Sequence, residues 1–396
     1  MAREDTIAKE DLYQARVYAK RRQVLVRGKG AELYDPDGHR YIDLTSGYGV
    51  AILGYGHPKI IEAIKTQAEK LLTCHGSFYN DARASFLEEL VKVAPKGLDS
   101  VLMANSGAEA VEAALKTAIR ATGKTEIVAF VRGYHGKTFG ALSATWEHKY
   151  KDGFGPLLPW FTHVPYGDIE KTRAAVSERT AAILVEPIQG EGGVRVPPKG
   201  FLKELRELAT ERSILLMLDE VQTGLMRTGK MFSFQWEGII PDIFILGKGL
   251  AGGLPVGAVI SSRETMAKLG LGGHTSTMAG NPLVCAAGTA TLEVLKQEIS
   301  EEFVASKSSL FLKSLGECSN LKVIREIRGM GLMLGLELRM EAEATLNSLA
   351  ECGVLALPAG RNVVRLLPPL IIPEPLISEA CSKLRGVLEV EDTKLR

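Results

Sequence analysis

Short apolar runs alternate with helical patterns through the middle of the chain. In residues 108–121 and 199–212 the apolar positions recur every three or four residues, which is the spacing of one helix face. Strands that alternate with such helices usually lie side by side in a parallel sheet. The pattern therefore predicts an α/β fold with a mostly parallel sheet covered by helices. The predicted strands are residues 101–103, 126–131, 181–185, 214–218, 243–246 and 256–260.

The two ends of the chain have a different pattern. Residues 32–44 predict a hairpin of two short strands about an Asp-Pro-Asp-Gly turn at 35–38. Near the other end, a helical stretch at 289–315 precedes short strands. A last helix at 373–390 begins with prolines, whose missing N–H is harmless in a first turn. The predicted short strands are residues 322–327, 331–338 and 362–367.

These patterns predict two domains, as a length of 396 residues also favours. The large domain covers residues 46–294, and the smaller α+β domain combines residues 1–45 with residues 295–396. No disordered linker is predicted between them.

Composition excludes several classes of protein. A net charge of +1 gives no general electrostatic attraction to nucleic acids or membranes. The five cysteines are scattered and form no CxxC pair, which argues against a zinc site and a disulfide framework. The charged first ten residues argue against a signal peptide, and no apolar run approaches the length of a membrane span. The predicted location is the cytoplasm, and no metal-binding motif is present.

A lysine in a glycine-rich setting is the first candidate for chemistry. Lys248 follows a predicted strand, and another predicted strand ends at Asp219. Strands of an open α/β sheet place such end residues in one ligand crevice. An amine and a carboxylate in one crevice suit pyridoxal phosphate, which has an electrophilic carbonyl and a basic ring nitrogen. A surface lysine in a glycine-rich loop is the alternative interpretation.

Other segments are candidates for phosphate and ring contacts. Ser106 opens a predicted helix, whose free N–H groups favour an anion; a simple helix cap is a compatible alternative. Tyr134 could stack on an aromatic ring or belong to the core. Ser276 and Thr277 could donate to a phosphate or only stabilise a turn. Glu191 lies after a predicted strand, where it could also be a solvated loop residue.

Six segments in a fixed order carry a resemblance to a known family. They are SGAEAVEAALK at 106–116, YHGKTFGALSAT at 134–145, VEPIQGEGG at 185–193, LDEVQTGLMRTG at 218–229, LGKGLAGGLPVGA at 246–258 and STMAGNP at 276–282. The chain resembles the class III, or ω-amino, aminotransferases in the acetylornithine aminotransferase group. This resemblance implies a fold type I transferase that uses pyridoxal 5′-phosphate and exchanges amino groups with 2-oxoglutarate and glutamate.

A closer resemblance points to members that act on an amino-group carrier protein. It rests on GYGVA at 47–51, ATWEHKY at 144–150, IRGMGLMLGLEL at 327–338, VLALPAG at 354–360 and VVRLLPPLII at 363–372. It implies a donor lysine or ornithine whose α-amine is blocked as an amide to a small acidic carrier. The alternative is an aminotransferase for acetylornithine or free ornithine. A semialdehyde aminomutase and a regulator without turnover are less consistent with the residues.

The resemblance implies cofactor roles for five residues of the central segments. Lys248 would attach the cofactor covalently, and Asp219 would pair with its ring nitrogen. Gln222 would contact its phenolic oxygen. Val221 and Tyr134 would lie against the two ring faces.

The resemblance also implies roles around the phosphate. The backbone N–H groups of Gly107 and Ala108 would donate to it. Thr277 would contact the phosphate of a neighbouring subunit, which implies a homodimer, and Ser276 would contact substrate across that boundary.

Three residues are implied in substrate binding. Arg365 would bind a substrate carboxylate and would pair with Glu191 when none is present. Lys137 stands where the family usually has an arginine for the other carboxylate. Lysine keeps the charge but lacks the planar two-pronged donor.

Overall fold

The structure is a computed structural model that describes residues 3–395. The strands in this part of the chain are β1 (Arg27–Lys29), β2 (Glu32–Tyr34), β3 (Arg40–Asp43), β4 (Ser100–Ala104), β5 (Glu126–Phe130), β6 (Phe161–Val164), β7 (Thr180–Val185), β8 (Leu215–Asp219), β9 (Ile243–Leu246), β10 (Gly257–Ser261), β11 (Ile324–Met330), β12 (Met333–Leu338), β13 (Val354–Leu355), β14 (Leu357–Ala359) and β15 (Val363–Leu366).

The α-helices of residues 3–395 vary from single turns to five turns. They are α1 (Arg3–Tyr13), α2 (Ser46–Gly49), α3 (Pro58–Lys70), α4 (Asp81–Val93), α5 (Gly107–Thr122), α6 (Phe139–Ala144), α7 (Ile169–Ala175), α8 (Phe201–Glu211), α9 (Arg263–Ala267), α10 (Pro282–Glu298), α11 (Glu301–Gly316), α12 (Ala342–Glu351) and α13 (Glu374–Thr393).

A seven-stranded sheet forms the centre of the molecule, in the order β4-β10-β9-β8-β7-β5-β6. Strands β9, β8, β7, β5 and β6 pair in parallel, and β10 pairs antiparallel with both β4 and β9. Strands β7, β9 and β10 are buried along their whole length, as expected for a sheet covered on both faces. The predicted α/β fold with a mostly parallel sheet is confirmed.

Two local predictions differ from the structure. Strand β6 was not predicted, because it is a partly exposed edge strand without a long apolar run. The predicted helical stretch at 289–315 is two helices, because Ile299 is extended and Ser300 caps a new helix. The Ser300 hydroxyl accepts a hydrogen bond from the Phe303 N–H at 3.1 Å, which satisfies one free donor of the first turn.

Two smaller sheets join the ends of the chain. One has the order β1-β2-β3-β13, in which β13 lies parallel to β3 with Val354 opposite Ile42. The predicted hairpin is confirmed, since β2 and β3 pair antiparallel around the turn at 35–38. The other sheet has the order β11-β12-β15-β14 and is antiparallel throughout. The proposed domain boundaries at 46 and 294 stay predictions.

Helix α5 packs against the central sheet through a face of small residues. Ala110, Ala113, Ala114 and Ala118 are fully buried, so the helix backbone approaches the strands closely. At its start, a Cβ on Gly257 of β10 would lie 2.1 Å from the Ser106 carbonyl oxygen. The close contact fixes the first turn of α5 at the edge of the sheet where the parallel strands end.

Within residues 3–395, none of the helices combines the length and the apolar content that crossing a membrane requires.

The packing of α10 on α4 gives a stability prediction. A Cβ on Gly288 of α10 would lie 2.4 Å from the fully buried Phe86 ring of α4. Gly288→Ala should therefore lower the free energy of unfolding by about 1–3 kcal/mol through overpacking. Denaturant unfolding at fixed protein concentration measures the change.

The matched control is Gly386→Ala in the middle of α13. A Cβ there would meet no atom within 4 Å. The free energy of unfolding of this variant should rise by about 0.5–1 kcal/mol, because alanine has the higher helix propensity. An equal change in the free energy of unfolding of both variants would contradict the packing of α10 on α4.

Candidate active site

The parallel strands end at a cavity of about 320 Å³. The segment after β5 contributes Tyr134, the segment after β7 contributes Glu186, and β8 ends with Asp219 at the cavity. Because carboxyl ends of parallel strands share one sheet edge, residues distant in sequence meet there. The cavity is lined by Gly107, Ala108, Tyr134, His135, Gly136, Lys137, Glu186, Glu191, Asp219, Val221, Gln222 and Lys248.

Lys248 is partly buried in this cavity, two residues after the end of β9. Its φ of 45° lies in the left-handed region, which residues other than glycine rarely adopt. A Cβ on Gly249 would lie 2.9 Å from Ile52, so the segment is too tightly packed there for a side chain. Burial lowers the pKa of the Lys248 amine, although the charge of Glu191 opposes this shift. A neutral amine can act as a nucleophile and as a base.

A buried histidine holds the carboxylate of Asp219. His135 Nδ1 lies 2.7 Å from Asp219 Oδ2, and both residues are buried. The other oxygen, Oδ1, accepts a hydrogen bond from the Val221 N–H at 3.1 Å. Burial alone would lower the pKa of His135, but the hydrogen bond and charge of Asp219 raise it. The two hydrogen bonds therefore fix the orientation of the Asp219 carboxylate, which lines the cavity.

A second buried carboxylate connects two loops of the site. Glu186 Oε1 accepts a hydrogen bond from the Tyr134 N–H at 2.9 Å, and Oε2 accepts one from the Gly190 N–H at 3.0 Å. Burial raises the pKa of Glu186 to about 7, against the opposing charge of His135. The side chain fixes the loop of Tyr134 relative to the loop that carries Glu191.

Arg365, at the centre of β15, is fully buried beside the cavity. Its Nη2 lies 2.7 Å from Oε1 of Glu191, and its Nη1 donates to Oε1 of Gln222 at 3.0 Å. The Pro358 carbonyl accepts a further bond from Nη2 at 3.2 Å. The Tyr48 ring centroid lies 5.7 Å from the guanidinium carbon. The guanidinium is therefore held between two residues of the cavity wall.

The first turn of α5 forms another wall. The Ser106 hydroxyl accepts a hydrogen bond from the Glu109 N–H at 3.2 Å, so it caps the helix. The N–H groups of Gly107 and Ala108 belong to the first turn, where a helix has no internal acceptors. A Cβ on Gly107 would lie 2.9 Å from Val221, and one on Gly136 would lie 2.6 Å from Ala108. The wall is therefore closely packed, and Gly107 and Ala108 line the cavity with the free end of the helix.

Some predicted site residues lie outside this cavity or only at its rim. Ser276 accepts a hydrogen bond from the Asn105 side chain at 2.8 Å, and Thr277 is exposed. Neither lines the cavity of its own chain. Lys137 lies at the rim with its Nζ 4.8 Å from the Tyr150 ring centroid. The roles given to the site residues by resemblance stay predictions.

Sequence reasoning gave no role to His135, Glu186 or Tyr150. The Tyr150 ring lies edge-on to Tyr134 with the centroids 5.7 Å apart. The one sequence signal for Tyr150 is the segment ATWEHKY, which ends at this residue and carries the closer resemblance. The contact between His135 and Asp219 joins residues 84 positions apart, and no local pattern signals it.

Each comparison with known proteins matches nearly the whole chain to aminotransferases. Residues 13–388 match the family model of the class III aminotransferases. An acetylornithine aminotransferase of Methanopyrus kandleri is 43% identical over 380 residues, covering 96% of this chain and 97% of that protein. A LysW-aminoadipate semialdehyde transaminase of Deinococcus radiodurans is 44% identical over 385 residues, covering 96% and 90%. The solved ornithine aminotransferase of Toxoplasma gondii superposes with a TM-score of 0.95 at 33% identity, covering 99% and 96%.

The His135–Asp219 pair gives a prediction. His135→Phe leaves a buried carboxylate oxygen without its partner and should lower the free energy of unfolding of the apoprotein by about 1–3 kcal/mol. Since the pair raises the pKa of His135, the loss should be largest below about pH 6.5, the usual histidine pKa. It should shrink as the pH rises through the raised value. Denaturant unfolding across this pH range measures the effect.

The control is His163→Phe. His163 bonds a backbone carbonyl, that of Ala144 at 2.8 Å, and burial lowers its pKa to about 4. This variant should lose only about 0.5–1.5 kcal/mol of the free energy of unfolding, and that loss should not shrink as the pH rises above 6.5. The same size and pH dependence in both variants would contradict a charged His135–Asp219 pair.

Proposed function

Because the chain belongs to the class III aminotransferases, which depend on pyridoxal 5′-phosphate, we propose that it moves the terminal amine of carrier-protein-linked lysine or ornithine to 2-oxoglutarate. The reaction would serve the biosynthesis of lysine or arginine. The observation that carries the proposal is the 2.7 Å ion pair between Glu191 and Arg365, beside the cavity of Lys248. The likeness to the LysW-aminoadipate semialdehyde transaminase supports the donor class.

The residues of the cavity fit this cofactor. Its donor set combines an amine with a lowered pKa, a buried carboxylate and a free helix start. Lys248 would attach the cofactor, and Asp219 would pair with the ring nitrogen. Gly107 and Ala108 would donate to its phosphate, where the positive end of α5 favours an anion.

Three further residues would orient the ring. Val221 would lie against one face and Tyr134 against the other, and Gln222 would contact the phenolic oxygen. The Ser106 hydroxyl, which accepts from Glu109, keeps its own hydrogen available for the phosphate. His135 would keep Asp219 aligned with the ring nitrogen.

When bound, the cofactor supplies a carbon that takes up the amino group and a ring that accepts electrons from the deprotonated substrate carbon. The chain supplies the proton transfers. With its lowered pKa, Nζ of Lys248 can take the proton from the substrate carbon and return it. Asp219, held by His135, would accept a hydrogen bond from the ring nitrogen.

Arg365 must serve two different substrates in one cavity. Glutamate carries a carboxylate next to its reacting amine, whereas the terminal amine of lysine or ornithine has none there. Leaving a buried guanidinium unpaired costs about 3–5 kcal/mol. We propose that Glu191, which is a quarter exposed, pairs with Arg365 for the terminal amine and moves away for glutamate. Lys137 would bind the other carboxylate of glutamate and 2-oxoglutarate.

A second copy of the chain would complete the site as a homodimer. Thr277 would contact the phosphate bound by its neighbour, and Ser276 would contact that neighbour's substrate. Thr277 is exposed, and the adjacent Met278 is 63% exposed. Other large apolar side chains, among them Phe78 at 68%, are also accessible and support an association between chains.

The competing assignment is an aminotransferase for acetylornithine or free ornithine, and the likeness to the Methanopyrus kandleri enzyme favours the acetylornithine form. It has the same chemistry and differs in whether, and by which group, the α-amine is blocked. The two assignments therefore differ in donor preference alone.

The donor is tested by turnover with 2-oxoglutarate. We expect the kcat/KM for carrier-linked lysine or ornithine to exceed that for N2-acetylornithine by about tenfold or more, which corresponds to about 1.4 kcal/mol of transition-state binding. Glutamate formation measures each rate, and Lys248→Ala should be inactive with every donor. An equal or higher kcat/KM for N2-acetylornithine would favour the competing assignment.

A further inference from the structure

A second cavity of about 570 Å³ adjoins the site and shares Tyr134 and Glu191 with it. A molecule bound at Lys248 can therefore extend past Tyr134 and Glu191 into the second cavity. Its lining contains more cationic than anionic side chains. The cationic residues are Arg132, Lys149, Arg195, Arg325 and Arg361, and the anionic residues are Glu147, Glu191 and Glu337.

Most arginines of this second cavity already have a carboxylate. Arg195 and Arg325 lie 3.6 Å and 3.3 Å from Glu337. Arg361 Nε donates to Glu341 at 2.8 Å. The Arg132 guanidinium has no ion pair or hydrogen bond with any residue between 3 and 395. Among the arginines that line this cavity, Arg132 is therefore the one whose guanidinium has no partner within residues 3–395.

The backbone of Arg132 is in a conformation that disfavours an arginine. A hydrogen bond from the Gly133 N–H to the Phe130 carbonyl at 2.9 Å closes a turn, with Arg132 at its third position. The φ of Arg132 is 67°, which glycine or asparagine adopts with less strain. A Cβ on Gly192 would lie 2.6 Å from the Arg132 carbonyl oxygen, so the loop beside Glu191 holds this turn in place. An arginine at such a position indicates a use for its side chain.

The charges of this cavity are not balanced. Burial lowers the pKa of Arg195, and the positive charges of Arg132 and Arg328 lower it further. Like charges repel each other, and a bound anion between Arg132 and Arg195 would relieve the repulsion. A carboxylate also matches the two-pronged geometry of a free guanidinium.

We propose that Arg132 binds a carboxylate on the group that blocks the donor's α-amine, and so selects donors with an anionic blocking group. The inference rests on the proposed function, since only a donor with a blocked α-amine carries such a group. An acidic carrier has carboxylates, whereas an acetyl group has none. Arg132 would thereby distinguish the two donor classes.

The test uses two donors that differ in one carboxylate, N2-succinylornithine and N2-butyrylornithine. For the unmodified holoenzyme we expect the kcat/KM to be tenfold or more higher with the succinyl donor. Arg132→Gly should lose most of this preference. Its kcat/KM for the butyryl donor and its rate in the glutamate half-reaction should change by less than twofold. Its melting temperature should equal or exceed that of the unmodified enzyme, because glycine relieves the strain at φ 67°.

Arg361→Gln is the matched control, since Arg361 lines the same cavity but pairs with Glu341. It should keep the preference for the succinyl donor within twofold. Binding of N2-succinylnorvaline and N2-butyrylnorvaline, which lack the terminal amine, measures the same preference by calorimetry without turnover. If the carrier-linked donors show no turnover with 2-oxoglutarate, the proposed function fails, while the calorimetry still decides the role of Arg132.

The inference is overturned if the unmodified enzyme shows no preference for the succinyl compounds in calorimetry. It is also overturned if Arg132→Gly weakens the succinyl and butyryl compounds equally, because Arg132 would then contact a group that both compounds share, such as the α-carboxylate, or would be structural.

Discussion

The buried guanidinium of Arg365 is the constraint on which the site depends. It lies in the centre of β15, where water cannot solvate its charge, so the protein must provide an anion. Glu191 provides one at 2.7 Å, and the side-chain oxygen of Gln222 accepts another bond at 3.0 Å. Because the Glu191 side chain is a quarter exposed, we propose that a substrate carboxylate replaces it. The guanidinium would thereby accommodate amines with and without a neighbouring carboxylate.

The remainder of the fold brings the reactive groups to this guanidinium. The parallel strands end at one sheet edge, and this edge brings Asp219 and Lys248 into one cavity. Glu186 accepts hydrogen bonds from the loop of Tyr134 and from the loop of Glu191, so these two residues share one support. Both smaller sheets include strands from the C-terminal part of the chain, and one of them places Arg365 at the cavity.

Much of this arrangement could be predicted from local patterns, and the rest depends on tertiary contacts. Apolar runs that end in Asp219 and Lys248 indicated strand ends, and so the common crevice. The His135–Asp219 bond spans 84 positions and has no local signal. The break before Ser300 was missed because apolar spacing continues across it. The importance of Arg132 rests on a backbone angle and a missing partner, which a sequence does not record.

Single-turnover kinetics of Arg365→Ala test the central claim most directly. The cofactor spectrum follows each half-reaction separately, one with glutamate and one with a terminal-amine donor. If Arg365 binds the carboxylate beside the reacting amine, the glutamate half should slow by a hundredfold or more, which is about 2.7 kcal/mol. The terminal-amine half should stay within a few fold, and Glu191→Ala should let α-amino acids compete as donors. Equal slowing of both halves by Arg365→Ala would show that the residue is structural and that no exchange of partners occurs.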